Sequence, residues 1–149
     1  MTNRTRELRI KYFGLEMSGV AKQLMYHEPE KFSACCNGVG SQSGWLGKLT
    51  YHIIPNTIWL MSITPASDIH DVEYTYPMEF ETEADALEWK READNRFYNN
   101  VLTLIERRGG WFEAPRRLRA ATYYRTLRMA GMESFLASKT ILEDNNDAS

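Results

Sequence analysis

Cysteine is nearly missing from this chain: there are two, adjacent at Cys35 and Cys36. Neighbouring cysteines make no disulfide framework, and without a CxxC or HxxxH spacing elsewhere they lack the partners of a zinc site. No apolar run reaches the roughly 18 residues that a membrane-spanning helix needs. The opening Met-Thr-Asn-Arg-Thr-Arg-Glu leads into a mixed polar stretch with no hydrophobic segment of a signal peptide. The cytoplasm is therefore the expected compartment, with a virion or the cytoplasm of a host cell as variants of it. A strong charge of one sign is also lacking: the formal net charge is -2, so the whole molecule is not built as a polyanion binder. Neither GxxxxGK[ST] nor GxGxxG occurs, which leaves out the familiar phosphate loops. Repeats and low-complexity tracts are absent.

What remains is ample material for a core. The 149 residues are 43% hydrophobic and 12% aromatic, which predicts one packed domain over 1–149 with a frayed acidic tail at about 143–149. Charge is unevenly spread. The stretch from Asp68 to Asp94 is strongly acidic, and the stretch from Arg107 to Lys139 is strongly basic through arginine.

Helical spacing of apolar residues runs through 4–26, with an interruption expected near Gly14 or Gly19. Pro29 follows the end of that segment. Ser33 to Gly47 is rich in Gly and Ser and reads as a loop. Residues 49–55 suggest a short strand closed by the turn Pro55-Asn56. Thr64-Pro65 reads as a helix start, with Thr64 as the N-cap oxygen, Pro65 in the first turn and Asp68 favouring the dipole. Pro77 ends that helix after Tyr76. Thr82-x-x-Asp85 is a capping-box spacing before a strongly amphipathic segment that places Leu87, Asp94, Phe97, Tyr98, Val101, Leu104 and Ile105 on one face. Arg107, Arg108 and Gly109-Gly110 close it. A basic helix from about Pro115 to Ala130 ends at Gly131, and Met132 to Ser138 adds a short turn.

Three pieces carry chemistry. Asp94 takes an apolar position in the buried stripe, and a buried carboxylate is costly unless it is paired with a His, an Arg or a metal, or sits in a structural salt bridge. His70 and Asp71 are neighbours on the shorter helix. Their side chains diverge by about 100°, so they do not bond each other but address one site from adjacent angles. His27 and His52 read as packed or surface residues. Cys36-Asn37-Gly38-Val39-Gly40-Ser41 is a glycine loop able to cradle an anion through amides or a hard cation through carbonyls.

Taken together, these pieces resemble the phospholipase A2 family. Ala66-Ser67-Asp68-Ile69-His70-Asp71-Val72-Glu73-Tyr74 is similar to its signature, Cys-Cys-x-x-His-Asp-x-Cys-Tyr. Cys36-Asn37-Gly38-Val39-Gly40-Ser41 is similar to its calcium loop, Tyr-Cys-Gly-x-Gly-Gly. Glu92-Ala93-Asp94-Asn95-Arg96 resembles the segment that supplies the aspartate partner of the catalytic histidine. The likeness covers about 34–105. It implies a mostly α fold with two antiparallel central helices, here roughly 65–76 and 83–107, a calcium loop, and an additional C-terminal basic helix. It implies His70 as general base, Asp94 as its orienting partner, and Tyr74 as a support to Asp94. It implies Ca²⁺ held by Asp71 and the carbonyls of Cys36, Gly38 and Gly40, and phospholipid or a membrane surface as partner. Against the pattern, Ala66, Ser67, Glu73 and Asn37 stand where the family has cysteine, and Ser41 where it has glycine. The longer interval between Gly40 and His70 contains Trp45, Tyr51, Ile53, Ile54 and Trp59, a candidate lid.

The expected activity is a calcium-dependent hydrolysis of the sn-2 ester of glycerophospholipids. The alternative is a non-enzymatic bacterial, phage or viral interaction protein that keeps the fold as a scaffold and binds a protein partner. Arg116, Arg117 and Arg119 in the basic helix read as a solvated face, as a lipid or anion patch, or, least favoured, as a nucleic-acid patch.

Overall fold

The computed structural model describes residues 2–36 and 57–142. Among these, α1 spans Asn3–Lys11, α2 Gly19–His27 and α3 Pro29–Cys36. A small antiparallel hairpin follows, β1 at Thr57–Ile58 and β2 at Met61–Ser62. Then come α4, Thr64–Thr75, β3, Met78–Phe80, and the long α5, Glu83–Arg108. The chain continues through α6, Glu113–Ala130, and α7, Met132–Leu136, to β4, Lys139–Ile141, which pairs in parallel with β3. The described chain is mostly helical with very little sheet. None of its helices is long and apolar enough to cross a membrane.

The interruption expected near Gly14 or Gly19 involves both glycines. Gly14 turns with φ +69°, and Ser18 caps α2 by accepting from the Ala21 amide. Asn100 pins the connector to α5 through its side chain, accepting from Glu16 N at 2.6 Å and donating to Glu16 O at 2.9 Å. Pro29 follows the end of α2, as expected, and itself begins α3, because a ring-locked φ and a missing amide suit the first helical turn. Ser33 to Cys36 are therefore helical, while the rest of the expected loop and the strand at 49–55 lie outside the described residues.

Helix α4 starts where expected but by another device. Ile63 is the cap residue, fully buried and without a side-chain cap bond, and Thr64 is already helical. Asp68 does not serve the dipole; it accepts from Tyr12 Oη at 2.9 Å and pairs with Lys11 Nζ at 2.7 Å. The Thr82–Asp85 capping box is present, and Gly109 and Gly110 end α5 with φ +58° and +87°.

Three apolar clusters meet around α4. Ile63 and Ala66 join Ile58, Met61, Phe97, Val101, Ile105, Tyr123 and Leu127. Ile69 and Val72 pack with Leu8, Tyr12, Leu24 and Phe32 from the first three helices. Tyr74 joins Ala86, Ala93 and Phe135. The start of α4 thus lies against the end of α5 and its end against the start of α5, so the two run antiparallel. Its far end is stitched by Lys139, whose ammonium donates to Tyr74 O at 2.9 Å and Tyr76 O at 2.7 Å. Burial lowers the Lys139 pKa to about 8. Glu73, standing where the resembled family has cysteine, accepts from Arg96 Nε at 3.0 and 3.1 Å and from Ser18 N at 2.8 Å. This non-covalent tie joins α4 to both α5 and α2.

Candidate functional site

Being covered on several sides, α4 buries Asp68, His70 and Glu73 along with its apolar residues, so each polar group needs a partner from a neighbouring element. For His70 that partner is on α5. Its Nε2 lies 3.1 Å from Asp94 Oδ1, with His70 5% and Asp94 0% exposed. Tyr74, one turn along α4, donates its hydroxyl to the same oxygen at 2.5 Å. The His70 ring packs on Tyr74 with centroids 4.1 Å apart and on Phe97 at 5.1 Å.

The other carboxylate oxygen has a partner the sequence reading did not include. Lys90, one turn before Asp94, is 3% exposed and donates to Oδ2 at 2.8 Å and to Leu127 O at 3.0 Å. The signal was the i, i+4 spacing on the apolar stripe, but lysine reads by default as a surface residue. Gly131 closes over this group. A side chain there would begin 2.9 Å from Tyr74 Oη and 3.3 Å from Lys90 Cε. Its φ is -88°, so glycine serves close approach here, not a left-handed turn.

Burial acts to raise the Asp94 pKa, but the bond and charge of His70 and the bonds from Lys90 and Tyr74 outweigh it and hold the carboxyl below its ordinary range. Burial, then the Asp94 charge, pushes the Tyr74 hydroxyl up. An ionised Asp94 only accepts, so His70 Nε2 is the donor in this bond, and Nδ1 is the ring nitrogen left free of the carboxylate. Among the described residues Nδ1 has no hydrogen-bond partner. A ring held this way through Nε2 can accept a proton only at Nδ1.

In comparisons with known proteins, no family model, no curated protein and no solved structure matches this chain. The site is therefore read from its own geometry.

Asp71 makes no bond to His70 or Asp94 among the described residues; the charges it interacts with are those of Asp68 on α4 and Cys36 on α3. Burial, with the Asp68 charge second, raises the Asp71 carboxyl to about 8. No side-chain hydrogen bond satisfies it among the described residues. Cys36, the last residue of α3, donates its thiol to Asp68 O at 3.6 Å, and burial pushes that thiol up to about 12. Asp71 and Asp68 offer carboxylate oxygens, which suit a hard cation in kind once Asp71 is ionised, and Asp68 is already engaged by Tyr12 and Lys11. Gly38 and Gly40 lie outside the described residues, and no cluster of three or more His, Cys, Asp or Glu among the described residues forms a metal site.

The structure does not bring Arg116, Arg117 or Arg119 to His70. Arg116 is buried and donates to Gly109 O and Trp59 O, both at 3.0 Å. Arg117 is paired with Glu113 and Glu106. Arg119 is exposed, its guanidinium over the Tyr123 ring at 5.7 Å.

Proposed function

We propose that this protein is a calcium-dependent esterase of the phospholipase A2 type, acting on the sn-2 ester of glycerophospholipids. The observation that carries the reading is the buried His70–Asp94–Tyr74 set between two antiparallel helices. Asp94 fixes the histidine tautomer and stabilises the imidazolium once Nδ1 has taken a proton from the attacking water. Tyr74 holds Asp94 in register, and Lys90 occupies its second oxygen so that the first faces His70. Asp71 and the carbonyl of Cys36, with Gly38 and Gly40 of the adjoining loop, would hold Ca²⁺. When bound, that ion would polarise the ester carbonyl and neutralise developing charge. The packing of α4 and α5, tied by Glu73 and Arg96, stands in for the missing disulfides.

One observation favours a second reading. The Lys90–Asp94 ion pair satisfies the carboxylate without any catalytic purpose, as it would in a non-enzymatic scaffold that binds another protein.

The test is hydrolysis of a short-chain phosphatidylcholine with Ca²⁺ or with EGTA. Turnover that requires Ca²⁺ and falls at least about a thousandfold in His70→Gln, with an unchanged circular dichroism spectrum, is the expected result. No turnover in the wild type, or turnover that survives His70→Gln, leaves the scaffold reading.

A further inference from the structure

One end of the molecule is unlike the rest of its surface. The β1–β2 hairpin turns through Trp59 and Leu60, which are 54% and 90% exposed. The α5–α6 turn presents Trp111, fully exposed, and Phe112, 44% exposed. The two turns form one surface. Trp59 stacks on Phe112 with centroids 5.8 Å apart, and the buried Arg116 guanidinium clasps Trp59 O from one side and Gly109 O from the other. The α1–α2 turn abuts the same end, because the Arg107 guanidinium occupies the space beside Gly14, next to Phe13, which is 75% exposed.

Cations surround these apolar tips. Residues 107–119 hold five arginines against the single acid Glu113. Arg117 is matched by Glu106 and Glu113. Arg107, Arg108 and Arg119 are exposed and form no ion pair among the described residues. Beside the hairpin, a cleft of about 520 Å³ is lined by Ile58, Trp59, Pro115, Leu118 and Arg119. Leu118, 72% exposed, extends the apolar rim along α6.

We propose that this end docks on a bilayer carrying anionic headgroups, with Trp59, Leu60, Trp111 and Phe112 inserted and Arg107, Arg108 and Arg119 at the phosphate level. Indole rings settle at the boundary between headgroup and acyl chain. Guanidinium groups around them meet a negative surface potential. The apolar groups stand on the tips of separate turns, which suits entry between lipids better than a flat protein face. The turn residues point the same way: both Trp59 and Leu60 sit at positive φ, +44° and +61°, where glycine or asparagine would be favoured. The orientation also serves the proposed chemistry. Ile63, at this end, precedes His70 by about 10 Å along the α4 axis. The docking surface rests on the lipid-directed reading above and names the form in which that lipid is met.

The experiment is co-sedimentation of the full chain with ether-linked vesicles, which cannot be hydrolysed at the ester position. Phosphatidylcholine vesicles are compared with vesicles containing phosphatidylglycerol. Binding to the anionic vesicles that weakens with added salt, and that falls about tenfold or more in Leu60→Ser/Trp111→Ser, is the expected result. The double variant should keep its melting temperature, since neither side chain is packed. Binding by the double variant equal to wild type, no binding by the wild type, or a Trp111-dependent dimer in sedimentation velocity would each overturn the proposal. Wild-type turnover of a soluble short-chain phospholipid, measured in parallel, separates the two readings. Turnover without vesicle binding removes the docking surface alone; vesicle binding without turnover removes the esterase alone.

Discussion

Asp94 holds three donors on two oxygens with no access to water, and its removal strands them all. Asp94→Ala leaves the Lys90 ammonium buried with only the Leu127 carbonyl. A loss of about 3–5 kcal/mol in urea unfolding is expected. Adding Lys90→Met to that variant should recover much of the loss, because the uncompensated charge is then gone. If the single variant costs less than about 1 kcal/mol, the network is not the strut described here. The sequence displayed Asp94 as a carboxylate in an apolar stripe, and His70 as a candidate partner. Lys90 was not legible, because a long amphipathic side chain has no pattern that separates a buried ammonium from a solvated one. Glu73 and Arg96 were similarly hidden: their burial follows from three elements closing on α4, which no local spacing records.

At the scale of elements, the hairpin turn breaks a local preference. A branched, bulky residue in the left-handed region costs about 1–2 kcal/mol, and glycine returns about 0.5–1 kcal/mol of that as entropy. Leu60→Gly should therefore raise stability by up to about 1 kcal/mol in thermal or urea unfolding, since Leu60 has almost no packing to lose. A destabilised variant would show that the tip is held by contacts the exposure does not reveal. The signals that held were local to each helix: Pro65 in the first turn of α4, the Thr82–Asp85 capping box and terminal Gly109 of α5, and Gly131 after α6. Helix α3 was not legible because it is about two turns long and its second half, from Ser33, runs into a Gly- and Ser-rich stretch that reads as loop. The β3–β4 pair was illegible, since each strand is three residues long and their partnership joins segments on either side of α5 and α6.

For the whole molecule, half-buried Asp71 is one contributor to the pH behaviour expected without metal. Its native pKa of about 8 lies above the ordinary 3.8. Between those values the unfolded chain has released this proton and the native state keeps it, so stability falls as pH rises from about 4 to about 8. Lys139 acts in the opposite sense, and only above pH about 8, where the native ammonium has lost its proton and the unfolded one has not. The contribution of Asp94, whose native pKa is depressed, is lost on acidification instead. The proposed Ca²⁺ site requires the ionised Asp71, so on that proposal the gain in melting temperature with Ca²⁺ should grow as pH approaches 8. Asp71→Asn should flatten the metal-free slope and abolish the Ca²⁺ gain in scanning fluorimetry at several pH values. An unchanged Ca²⁺ gain in that variant would remove Asp71 from the proposed cation site.

The pairing of β4 with β3 also has a consequence in time. On a ribosome, α4 and α5 emerge well before Phe135 can cover Tyr74 or Lys139 can tie off the α4 carbonyls. A nascent chain halted before α7 would present the tyrosine edge of the histidine network to water, so the last described segment to be made is the one that seals that network.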